Sequence, residues 1–197
     1  NHTSVVGNAH LVDTLRKQGI SIKKIFAPEH GFRGTADAGE KVDNYIDKQT
    51  GISVISLYGK KRKPTADDVK DIDVVVFDIQ DVGTRFYTYI SSLQDMMEAC
   101  VQLNKPLIVL DRPNPNGFYV DGPVLDLKYK SFVGMQPVPV VYGLTIGEYA
   151  NMLLNEKMLT VKVPYPVTNI DNVKDPHTAE YAQKSNFSLT IIKCGNY

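Results

Sequence analysis

The feature that most limits what this chain can fold into is the apolar run Val74-Val75-Val76-Phe77. Three of its four residues are β-branched, and it lacks the polar alternation of a half-solvated strand. Such a run suits a strand covered on both faces, as in a parallel sheet. A helix-periodic stretch follows over residues 86–103, with Tyr89, Leu93, Met96, Met97 and Cys100 on its core side. A second apolar strand, Leu107–Leu110, comes next. Strand, helix and strand in this order form a βαβ unit, and its crossover requires parallel pairing.

The same alternation starts earlier. Residues 8–18 carry Leu11, Val12 and Leu15 at helical spacing, with Gly19 as a stop. Ile20 to Ala27 reads as a strand, Val54 to Leu57 as another, and Thr65 caps a helix between Val54–Leu57 and the Val74 run. The expected fold class is α/β, a Rossmann-like parallel sheet with helices on both faces. After Gly117 the pattern changes. Residues 118–126 and 131–143 are extended and interrupted by proline, and Thr145 opens a helix to about Lys157. Val161–Val163 and Leu189–Ile192 read as strands, with residues 164–186 mostly loop. The expected organisation is a Rossmann-like catalytic domain over 1–117. Residues 118–197 then hold the remainder of that domain and the start of a smaller α+β C-terminal domain.

Chemistry concentrates where the strands end. Ile25-Phe26-Ala27 breaks at Pro28 and delivers Glu29, His30 and Arg33, with Gly31 and Gly34 letting the backbone fold tightly around them. The Val74 run ends in Asp78 and Asp81, with Gln80 between them and Arg85 beyond; Leu107–Leu110 ends in Asp111, Arg112 and Asn114. On a parallel sheet these loops share the carboxyl edge, where α/β proteins bind ligands. Carboxylates beside arginines suit a substrate with a bond to be cut by acid/base chemistry and an anionic group to be clamped. The competing expectation is an internal Asp–Arg network that braces the loops, above all for Asp78 and Arg85. Thr145-x-x-Glu148 matches a capping box, which gives Glu148 a purely structural use. Asp121, beside Gly122, fits a turn residue as well as a catalytic one.

Several classes are disfavoured. Lys+Arg and Asp+Glu both number 22, so there is no bulk attraction to nucleic acid. No apolar run approaches the roughly 20 residues of a membrane helix. No G-x-S-x-G or phosphate-cradling glycine loop occurs. Cys100 and Cys194 have no ligand spacing and read as free thiols. No metal site is expected, although the acidic loops keep a metal-dependent hydrolase as an alternative. A non-catalytic sugar-binding domain is the other.

The segments APEHGFRG (27–34), SLYG (56–59), FDIQDVGTRFYTYI (77–90), LDRPNPNG (110–117), VDGPVLD (120–126), SFVG (131–134) and TIGE (145–148) occur in this order. Together they resemble the bacterial exo-acting β-N-acetylmuramidases, long classed as a domain of unknown function. The resemblance spans nearly the whole chain. It implies a Rossmann-like N-terminal domain, a smaller C-terminal domain, a cleft between them, and release of N-acetylmuramic acid from the non-reducing end of peptidoglycan fragments. It also implies that the family's fold extends before Asn1 and beyond Tyr197. No cofactor is implied, the partners are peptidoglycan-derived muramyl sugars, and such a substrate places the protein outside the cytoplasm.

Glycoside hydrolysis needs two carboxyl groups, one of them protonated. On chemical grounds Glu29, shielded by Phe26 and Phe32, is the expected acid, with His30 orienting it or holding a sugar hydroxyl. Asp121, Asp111 and Glu148 are the candidates, in that order, for the second carboxylate. Arg33, Arg85 or Arg112 would clamp the lactyl carboxylate, and Tyr87 would stack on a sugar face. Asn1, His2, Gln80 and Asn114 complete the expected substrate-binding set.

Overall fold

Parallel strand pairing organises both parts of the chain. The structure is a computed structural model, and it describes residues 2–34, 37, 40, 43–164, 168–171 and 187–195. The expected contact at Asn1 lies outside these residues. Contacts divide the chain into two units, Asn1–Ile72 and Asp73–Tyr197.

The first unit opens with a short antiparallel ribbon, β1 (Val5–Val6) against β2 (Ala9–His10). This ribbon claims residues 9 and 10, so helix α1 runs only over Leu11–Lys17. His10 is its N-cap, and its Nδ1 accepts from Val12 N at 3.2 Å. Its ring packs edge-on against Phe32, 4.5 Å between centroids. His10 is thus a helix cap with a core contact. Strand β3 (Lys24–Ala27) pairs parallel with β5 (Ser53–Ser56), and β4 (Tyr45–Ile46) adds antiparallel to β5. The strand therefore begins at Lys24 and leaves Ile20 exposed. Ile25, Ala27, Phe32, Ile52 and Val54 form the core, with Val12, Ile22 and Tyr45 packed on it. Helix α2 (Ala66–Val69) carries the expected Thr65 cap, a full capping box with Asp68.

The second unit is built on a four-stranded, all-parallel sheet. Strands β6 (Val75–Phe77), β7 (Leu107–Leu110), β8 (Thr168–Asp171) and β9 (Ser188–Ile192) stand in the order β6-β7-β9-β8. Helix α3 (Tyr89–Gln102) buries Tyr89, Leu93, Met96, Met97 and Cys100, as its periodicity predicts. It packs against α4 (Ile146–Asn155), which also contacts β7. The result is a mixed α/β fold with a parallel sheet flanked by helices.

Two expectations change here. Strand β6 lies at an edge of its sheet and Val76 is 43% exposed, so the run at 74–77 is not covered on both faces. The covered strands are β7 and β9, whose Leu107, Val109 and Leu189 are wholly buried. Val161–Val163 forms no strand, whereas the polar Thr168–Asp171 does. Strand β9 inserts beside β7 and draws the end of the chain into the sheet that holds β6. No helix among the described residues is long and apolar enough to cross a membrane.

Candidate active site

In the first unit the site grows from the register of β3 and β5. Ala27 stands opposite Ser56, and Leu57 N extends the pairing by donating to Ala27 O at 2.8 Å. Side chains two residues beyond each strand therefore meet. The Tyr58 hydroxyl donates to Glu29 Oε1 at 3.0 Å. Glu29 is half-buried behind the buried Pro28. The chain then turns through two left-handed residues, His30 (φ 68°) and Gly31 (φ 72°), with Gly31 N donating to Pro28 O at 3.1 Å. A histidine with positive φ is uncommon and carries a conformational cost, and such positions cluster at functional sites. His2 lies at the tip of the same loop, so close that a Cβ on Gly34 would sit 2.6 Å from its ring. Phe32 is buried in the core against His10. The Tyr58 phenol is pushed above its ordinary value, first by burial and then by the Glu29 carboxylate, with the Arg62 charge opposing.

Arg33 braces this loop. Its Nε and Nη2 donate to Asp47 at 3.2 and 2.9 Å, and its Nη1 donates to Asp13 at 3.2 Å. All three guanidinium nitrogens are engaged, which is the internal ion-pair arrangement foreseen as the alternative to a substrate clamp. Asp47 is buried and also accepts from Thr50 N and Oγ1. The Arg33 guanidinium holds its carboxyl down to about 2. An unfolded aspartate titrates near 4, so this pair stabilises the fold fully above about pH 4 and is lost as pH falls towards 2. An acid-unfolding titration is expected to show a loss of about 2 kcal/mol across that window. The Asp47→Asn variant should lack this component and be less stable at neutral pH.

In the second unit the ends of β6 and β7 meet. Arg112 donates through Nε to Asp78 Oδ1 at 2.6 Å, and its Nη2 lies 2.6 Å from the same oxygen. The partner of Asp78 is thus Arg112, not Arg85. Arg85 instead donates to the carbonyls of Pro123, at 2.9 Å, and Val138. Gln80 donates to the carbonyls of Asp81 and Pro113, at 2.7 and 2.8 Å. Asn114 is buried; it donates to Leu144 O at 2.9 Å and accepts from Asn116 N at 2.8 Å. These contacts give Gln80 and Asn114 loop-fixing tasks. Asp81 is buried too, and burial raises its carboxyl above the usual range. Its Oδ2 accepts from Gly83 N at 2.8 Å and from the Tyr142 hydroxyl.

The three candidates for a second carboxylate differ sharply. Asp111 Oδ1 accepts from Arg112 N at 3.0 Å and from Gly147 N at 2.8 Å, and its Oδ2 accepts from Thr145 Oγ1 at 2.8 Å. It is a collar around the first turn of α4. Glu148 forms the expected capping box, its Oε2 accepting from Thr145 N at 2.9 Å. Asp121 is exposed; its Oδ1 accepts from Gly122 N at 2.7 Å while its backbone pairs with Val141 in both directions. Tyr87 is half-exposed and packs on Phe86, 5.8 Å between ring centroids. Cys100 is buried, its thiol pushed up to about 12 by burial. Among the described residues no group of three or more His, Cys, Asp or Glu could hold a metal ion.

A family model described as exo-β-N-acetylmuramidase NamZ, N-terminal, matches residues 1–197. The chain belongs to the NamZ family. It is 51% identical over 138 residues to the peptidoglycan β-N-acetylmuramidase NamZ of Bacillus subtilis, a match covering 70% of this chain and 33% of that protein. Two crystal structures of DUF1343 family proteins from Bacteroides fragilis share the fold. One matches with a TM-score of 0.76 and 42% identity, covering all of this chain and 46% of that one. The other matches with a TM-score of 0.70 and 45% identity, over 79% of this chain and 39% of that one. This chain thus spans less than half the length of these NamZ-family and DUF1343 relatives.

Tyr58 is the contact that sequence reasoning passed over. It lies in SLYG, a segment that carries the NamZ-family resemblance, yet no role attached to it. The signal was available in principle: in a parallel pair, residues at equal offsets beyond matched positions face each other.

Proposed function

We propose that this chain carries the catalytic machinery of a glycoside hydrolase that releases N-acetylmuramic acid from the non-reducing end of peptidoglycan fragments. The observation that carries the reading is the presentation of Glu29. It stands half-buried at the end of a parallel strand, on a left-handed turn, with a long-range hydrogen bond from Tyr58. Membership of the NamZ family and the 51% identity to a peptidoglycan β-N-acetylmuramidase supply the substrate class.

In this reading the Glu29 carboxyl gives its proton to the glycosidic oxygen as the bond from the anomeric carbon to that oxygen breaks. Water adds at the anomeric carbon and gives a proton to the second carboxylate. Asp111 and Glu148 spend their carboxylates on the start of α4, which argues against either in that role. Arg33 is consumed by Asp13 and Asp47, which argues against it as the lactyl clamp. The reaction needs no cofactor and takes place outside the cytoplasm, where peptidoglycan lies.

The protein is to be incubated with a disaccharide bearing N-acetylmuramic acid at its non-reducing end, with and without EDTA. Free N-acetylmuramic acid in both arms is the expected result. Release that EDTA abolishes would favour a metal-dependent hydrolase, and retention of the sugar without cleavage would favour a binding domain.

A further inference from the structure

We propose that Tyr58 is a positioning residue for Glu29, holding the carboxyl in one orientation across the ends of two neighbouring strands and stabilising the charge that forms there as the proton leaves. This rests on the assignment of Glu29 as proton donor.

Both ends of the contact are fixed by backbone. The β3–β5 register continues through Leu57 N to Ala27 O. Ser56 N donates to Asn44 Oδ1 at 2.9 Å, and Ser56 Oγ accepts from Tyr58 N at 3.4 Å. On the other side, the His30–Gly31 turn sets the direction in which Glu29 leaves the strand. The two residues are 29 apart in sequence, so local geometry does not force the bond. The Arg62 charge, on the loop that carries Tyr58, opposes the effect of the Glu29 carboxylate on the phenol, and His30 follows Glu29 in the chain. Lys61 is held by Asp68 at 2.5 Å.

A general acid becomes an anion as it acts. A donor already aimed at that oxygen strengthens as the charge develops and needs no reorganisation at the moment of reaction. The phenol therefore favours the ionised carboxyl. Without it, Glu29 holds its proton more tightly, is a weaker acid in the transition state, and is free to change rotamer.

The test is Tyr58→Phe, which keeps the ring and removes the hydroxyl. Carbon-13 carboxyl resonances give the Glu29 titration directly, without reference to turnover. Its midpoint is expected to move upward in the variant. The alkaline limb of kcat/KM should move upward with it, and kcat at the optimum should fall about tenfold with KM nearly unchanged. A Glu29 titration that does not move overturns the role of Tyr58, whatever the activity. A titration that moves while the pH–rate profile stays fixed overturns the assignment of Glu29 as the acid. Wild-type protein gives a second readout should the variant not fold: the Tyr58 ring resonances should shift at the Glu29 midpoint, and absence of that step removes the coupling.

Discussion

Replacing Glu29 by glutamine is expected to lower kcat about a thousandfold on a muramyl disaccharide, within the range for losing a general acid. Glutamine matches the volume of glutamate, and its amide oxygen can still accept from Tyr58, so the fold should be retained. What it lacks is the proton. The loss should depend on the leaving group. A sugar hydroxyl leaves poorly and needs full protonation, whereas an aryl group of low pKa departs with little help. Turnover of a nitrophenyl muramyl glycoside should therefore fall much less than turnover of the disaccharide. Parallel kinetics on the two substrates check this. Equal losses on both would point to a role other than proton donation, and unchanged turnover on the disaccharide would remove Glu29 from the chemistry.

Asp111→Ala is expected to destabilise the second unit by about 3 kcal/mol, because several donors lose a shared charged acceptor at once. The carboxylate receives Arg112 N, Gly147 N and Thr145 Oγ1. Gly147 packs so closely that a Cβ there would stand 2.7 Å from Asp111 Cγ and 2.8 Å from Ile191 Cγ2. Urea unfolding should show a lower midpoint with little change in slope. Asp111→Asn, which keeps an acceptor, should lose less. The pair separates the two roles open to this residue: if Asp111 were the second catalytic carboxylate, the asparagine variant would lose turnover while keeping its stability.

The parts legible in the sequence were those set by local pattern. Helix α3 follows from its apolar period, and the capping boxes at Thr65 and Thr145 follow from residue type at fixed spacing. The end of β3 was legible because proline and glycine punctuate it. What escaped depends on pairing between distant segments. The order β6-β7-β9-β8 leaves β6 at an edge, and no property of Val74–Phe77 reports its neighbours. Strand β8 is polar, and its place comes from pairing with β9. The partners of the arginines escaped for the same reason. Residue type marks Arg33, Arg85 and Arg112 as fit to clamp an anion, but only the folded chain shows Arg33 spent on Asp13 and Asp47.

The position of β9 has a consequence for how the protein is made. It is the last described strand in the chain, yet it lies inside the sheet, between β7 and β8. While the ribosome is still upstream of Ser188, β7 lacks a neighbour on one side and β8 has no partner in the sheet. The buried faces of Leu107 and Val109 are then incomplete, and an open parallel edge is a surface prone to wrong pairing. Closing the sheet must bring together strands far apart in sequence, a slow kind of step. The first unit, by contrast, has its described strands by Ser56, so their pairing can form while the rest is still being synthesised. Translation arrest between Ile72 and Ser188 should therefore leave a folded head and an unfinished sheet, the form in which a chaperone would meet this chain.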